Sequence, residues 1–143
     1  MKFRFRVVIG YLMGMEDRLV MELSRLRREA ESIRSEMESV TLGVRTGVAR
    51  AVGSGELWGG EVQILGDLVE GSRVRLADLG RRLEYLEREI EEKRDQLLDL
   101  VKRRKGLEKL RARWLEKIKL ERERSEQRFL DEIGIRCFGR SLV

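Results

Sequence analysis

Residues 76–100 read LADLGRRLEYLEREIEEKRDQLLDL. Leu76, Leu79, Leu83, Leu86, Ile90, Leu97 and Leu100 recur at alternating steps of three and four, with Lys93 at the one step that breaks the run. Most positions between them are Arg, Glu or Asp. An α-helix turns once in about 3.6 residues, so this spacing lines the apolar side chains along one narrow stripe, the mark of a coiled-coil seam. The series continues through Arg104 to Leu107. A second series upstream runs Leu19, Leu23, Leu26, Ala30, Ile33, Met37, Val40, Val44, Gly47 and Ala51. Of these twenty positions all but Gly47, Lys93 and Arg104 are apolar, where random placement at the chain's 41% hydrophobic content would give about eight.

The two series are separated by GSGELWGG at 53–60, and four glycines in eight residues break a helix. A short break between two heptad arrays makes antiparallel neighbours the natural arrangement. The predicted fold is all-α, a long antiparallel two-helix coiled coil (a helical hairpin) forming a single domain over 1–143. Helix 1 is expected at about 11–52, the glycine-rich hairpin at 53–60, a longer helix 2 at about 61–133 and a short tail at 134–143. At about 1.5 Å per residue the helices would span roughly 60 and 110 Å. Paired from the hairpin, helix 1 ends opposite about residue 102, which leaves an overhang of helix 2. After Leu107 the apolar residues fall at Leu110, Trp114 and Ile118, a three-residue step that reads as a stammer and a change of seam partner. Phe3, Phe5 and Val7 alternate with Lys2, Arg4 and Arg6, a period-2 pattern.

Composition narrows the function. Of 143 residues 40% are charged, 6% are aromatic, and there is no proline and no histidine. Lack of proline permits long uninterrupted helices. Lack of histidine removes His-based triads and imidazole metal sites. Cys137 alone cannot form an intrachain disulfide or a thiolate zinc site, a count that fits a reducing cytosol. No phosphate loop, dinucleotide fingerprint or nucleophile elbow is present. Carboxylate pairs such as Glu91 and Glu92 lie in a solvated charge run, and a two-helix rod offers no deep cleft to shift their pKa. The chain is therefore read as no enzyme, with no cofactor and no metal. No apolar run reaches the roughly 18 residues of a membrane span. The basic start followed by Val7–Met15 imitates a signal peptide loosely, but no small-x-small cleavage site follows, and it is read as part of the folded chain.

Charge is concentrated. Residues 102–128 hold twelve Lys/Arg against five Glu, a net +7 in a chain of net +5, so the remainder is slightly acidic. A solvated helix with i,i+4 pairs is the plain explanation, and a docking surface for an acidic partner or a phosphate backbone the functional one. The overhang and Trp114 within it favour a binding surface. The interleaved Glu108, Glu116, Glu121, Glu123 and Glu126 argue against nucleic acid, which, with a purely structural coiled coil associating through Leu115 and Ile118, is the alternative reading. Trp58 at the hairpin either caps the seam or serves as an exposed anchor.

Two stretches carry a resemblance. RKGLEKL at 104–110 and ERERSEQRFLDE at 121–132 resemble the C-terminal signature of the flagellar export protein family FliJ, R-K-x-L-E-K-L followed by E-x-x-R-x-E-Q-x-x-L-D-E. KFRFRV at 2–7 resembles that family's K-F-x-F-R-L opening. The resemblance implies a cytoplasmic protein of bacterial flagellum biogenesis and motility, peripherally associated with the inner face of the membrane at the flagellar base, without membrane insertion. It implies a stalk-like coiled coil of the type III export apparatus that binds the export ATPase hexamer, couples it to the cytoplasmic domain of the export gate, and escorts export chaperones. The candidate ATPase-binding residues are Phe5, Arg104, Lys105, Leu107, Lys109, Leu110, Arg111, Arg113, Trp114 and Gln127. The candidate gate-binding residues are Val44, Val48, Trp58, Leu65 and Leu68.

Overall fold

The computed structural model describes residues 2–53, 55 and 59–141, with side chains over 4–53, 55 and 59–139. Two helices make up the fold, α1 at Lys2–Gly53 and α2 at Gly59–Ser141. It is the all-α helical hairpin that the heptads predict, with α2 the longer helix. Both helices exceed their expected limits: α1 begins at Lys2 instead of about 11, and α2 continues to Ser141, so the expected tail from 134 is helical as far as Ser141. Of the turn expected at 53–60, Gly53 belongs to α1 and Gly59 and Gly60 to α2, and between the helices Gly55 is described. Its φ of 67° places it in the left-handed region, and its N–H donates to the carbonyl of Val52 at 3.4 Å, folding the chain back after α1. Trp58 lies outside the described residues.

All twenty positions of the two predicted series are buried or half-buried, while most of their neighbours are exposed. Contacts divide the chain into two units, Glu16–Leu98 and Met1–Met15 with Asp99–Val143. In the unit Glu16–Leu98 the densest packing joins Leu26, Ala30 and Leu86, flanked by Ile33, Leu83 and Ile90. Ala30, 1% exposed, is the most enclosed of the buried residues, and its small side chain leaves room for the larger ones beside it.

The register within this unit is antiparallel. Glu22 pairs with Lys93 at 3.0 Å, and a methyl group added at Gly47 would lie 3.5 Å from Leu68 Cδ2. Twenty-five residues forward on α1 thus correspond to twenty-five backward on α2. Arg34–Glu87 at 3.2 Å and Glu36–Arg75 join the helices between those points. Such exposed pairs contribute roughly 0–1 kcal/mol each, so they select the register more than they stabilise it. The three exceptions in the apolar count now have local reasons. Lys93 reaches sideways to Glu22, Gly47 lies against Leu68, and Arg104 bonds Glu108 one turn on at 2.9 Å.

Two expected outcomes follow from this packing. Leu86→Ala should lower unfolding stability by about 2–3 kcal/mol, the lower part of the usual range for leucine truncation because one side of the seam is open to water; urea titration followed by circular dichroism measures it, and a loss under about 0.5 kcal/mol would mean that Leu86 is not a core residue. Spin labels at the exposed Arg25 and Asp95 should report a separation near the interhelical spacing of about 10 Å plus the label arms. A parallel in-register dimer would instead place labels on these two residues several tens of ångströms apart, at about 1.5 Å of rise per residue.

Candidate functional site

The candidate site belongs to the second unit, where the start of α1 packs on the basic stretch of α2. Phe5 is half-buried and Ile9 and Leu12 are buried, at steps of four and three. The phenylalanine alternation at residues 3–7 is therefore not a strand. It is one end of a helical stripe, masked in the sequence by the neighbouring apolar Val7, Val8, Tyr11 and Met13, which are exposed. The stripe passes through the half-buried Glu16 before it reaches Leu19, and a charged residue at that step hides its continuity.

The facing stripe on α2 is Leu100, Arg104, Leu107, Arg111, Trp114 and Ile118, all buried or half-buried. Its steps are four, three, four, three and four, so the expected stammer is absent. The sequence reading followed Leu110, which is 52% exposed, where the structure turns Arg111 inward. Arginine can do this because its methylene stem packs like an apolar side chain while its charged end reaches outward. The Nε of Arg111 is buried without a hydrogen-bond partner.

These placements sort the candidate ATPase-binding residues into two sets. Phe5 and Trp114 are stacked at a tilt, ring centroids 6.2 Å apart and planes at 44°. Leu107 lines a small groove with Arg4, Phe5 and Val8. Leu107, Trp114 and Phe5 thus contact one another's helices, and Trp114 has the intramolecular partner that the overhang reading denied it. Lys105, Lys109, Leu110 and Arg113 are exposed, as is Gln127, whose amide donates to Asp131 at 3.4 Å. Arg104 and Arg111 lie between these extremes, half-buried along the stripe.

The overhang itself begins later than expected. Ile118 is the last half-buried residue of α2, and every described side chain from Lys119 on is exposed. This part carries Lys119, Arg122, Arg124 and Arg128 together with exposed Leu120, Phe129, Leu130, Ile133, Ile135 and Phe138. The sequence reading chose its apolar candidates upstream, at Leu107, Leu110 and Trp114. The recurrence of Phe129, Ile133 and Cys137 at steps of four was the available signal for an apolar face nearer the end.

On either side of the turn between the helices Val44, Val48 and Leu65 are half-buried and Leu68 is exposed. Among the described residues no group of His, Cys, Asp or Glu could hold a metal ion, and no helix is long and apolar enough to cross a membrane.

The ring pair makes a direct test. Phe5→Ala and Trp114→Ala should each lower stability, and a double-mutant cycle should give a coupling of about 0.5–1.5 kcal/mol. Strictly additive effects would show that the two rings do not support each other.

No curated protein and no solved structure gives a significant match to the chain. A family model described as "Flagellar FliJ protein" matches residues 1–142. That match, over almost every residue of an antiparallel helical hairpin, shows that the chain belongs to the flagellar FliJ protein family and is a component of flagellar protein export.

Proposed function

We propose that the chain is a non-catalytic, stalk-like element that binds the hexameric flagellar export ATPase through its basic end, with the region around Val44, Val48, Leu65 and Leu68 facing the export gate. The observation that supports this most is the end of the seam at Ile118. Beyond it α2 continues as a helix through Ser141 with every described side chain exposed over 119–139. A hairpin gains little from an unpacked extension of this kind. A helix that enters a ring of subunits is covered on all sides by its partner and can carry apolar residues around its whole circumference. The export chaperones belong to the same proposal as transient partners, which a two-helix surface accommodates without an enclosed pocket.

Within this proposal the two sets of basic-end residues have different duties. Phe5, Leu107 and Trp114 hold the end of the hairpin in shape. Lys105, Lys109 and Arg113 stand exposed and steer the encounter with acidic residues of the ring. Leu110, Phe129, Leu130 and Ile133 provide apolar contact once docked.

Charge reversal at Lys105, Lys109 and Arg113 together should slow association with the purified ATPase about tenfold at low salt, and the difference should shrink as salt is raised. Helicity should be unchanged, because all three side chains are exposed. Surface-immobilised binding kinetics provide the measurement. An unchanged association rate at low salt would remove these three residues from the encounter.

A further inference from the structure

The described cross-helix ion pairs of the unit Glu16–Leu98 join opposite charges, and one heptad from one of them two like charges line a shared groove. Arg34 on α1 meets Glu87 on α2. In an antiparallel register, one heptad back on α1 faces one heptad forward on α2, and those residues are Arg27 and Arg94. Both line the same groove, together with Arg28, Val20, Leu97 and Leu98. Where the other cross-helix contacts set opposite charges together, this one sets two guanidinium groups on one groove. Like charges brought together in this way repel, where the opposite-charge pairs attract.

Arg27 and Arg94 have no ion pair or hydrogen bond among the described residues, and Arg28 donates its Nε–H only to the carbonyl of Ser24, at 3.4 Å on its own helix. Glu31, the one carboxylate in the lining, lies 3.5 Å from Arg34. The apolar part of the groove is open as well, with Val20 53% and Leu98 54% exposed.

We propose that this groove is a docking site for an acidic amphipathic helix of a partner protein, which lies along the hairpin as a third helix. Its apolar stripe covers Val20, Leu97 and Leu98, and its flanking carboxylates bridge Arg27 and Arg94. The charge of the groove selects the partner's sign, and guanidinium groups accept carboxylates in paired, planar geometry. The apolar floor distinguishes this partner from nucleic acid, since a phosphate backbone gains nothing from valine and leucine and the groove holds no aromatic ring on which a base would stack. This proposal does not depend on the ATPase proposal.

The probe is a synthetic amphipathic helix with a leucine stripe flanked by glutamates, titrated against the full chain by fluorescence anisotropy. A version flanked by lysines and a random DNA duplex serve as comparisons. The glutamate peptide should bind, the lysine peptide should not, and Arg94→Glu should weaken glutamate-peptide binding about tenfold or more. Because Glu at position 94 would face Arg27, that substitution should leave the thermal midpoint unchanged or raise it by about 2 °C. Binding of both peptides alike, binding of neither, DNA binding that Arg94→Glu abolishes while the peptide is ignored, or full peptide binding by Arg94→Glu would each overturn the proposal. If Arg94→Glu loses helicity, the neutral double variant Arg27→Gln, Arg94→Gln replaces it, and undiminished peptide binding by that variant overturns the proposal equally.

Discussion

Everything in this molecule depends on one stripe of side chains on each helix, repeated at steps of four and three and closed against the other. There is no second layer. A two-helix seam buries each apolar residue from one side only, and the buried set is correspondingly small: Ile9, Leu12, Leu23, Leu26, Ala30, Leu79, Leu86 and Leu100. No charged or polar residue is fully buried among the described residues. The high charge content follows from this geometry, since most of every turn faces water and needs residues that solvate it. The fold is suited to presenting surfaces to partners.

With so thin a core, specificity rests on what stands beside the seam. The ion pairs Glu22–Lys93, Arg34–Glu87 and Glu36–Arg75 each join one residue of α1 to one of α2. Shifting one helix by a heptad would dissolve all three at once and would place other like charges face to face. Arg27 and Arg94, which line one groove, depart from that rule inside a single unit of the structure. Their repulsion is easily tolerated when it leaves two cations free for an external carboxylate.

The long middle of both helices was legible because apolar residues, most of them leucine, mark nearly every step there. The ends were not, and the reason is chemical. Glu16 and Arg111 occupy seam positions with charged side chains, so a reading that counts apolar residues stops at each of them. The apolar series therefore starts only at Leu19, which leaves Ile9 and Leu12 outside the seam and helix 1 expected from about 11 instead of Lys2. Stepping over Arg111 to Leu110 produced a stammer that the structure does not have, and left Trp114 without the partner it finds in Phe5. The basic character of the end was visible in composition, but which of its residues stay exposed depended on α1 reaching back to Lys2. The residues of the motif resemblance are therefore divided in the structure: some are half-buried along the seam and some are exposed.

In the proposed function, α2 beyond Ile118 is the part of the chain grasped by the export ATPase. Removing everything after Ile118 isolates it, because the last half-buried side chain is retained. The truncated chain should keep its thermal midpoint within about 3 °C of the full chain, the shift expected for a loss of no more than about 1 kcal/mol, while sedimentation with the purified ATPase hexamer should show that it no longer co-migrates. Undiminished co-migration of the truncated, folded chain would contradict the account.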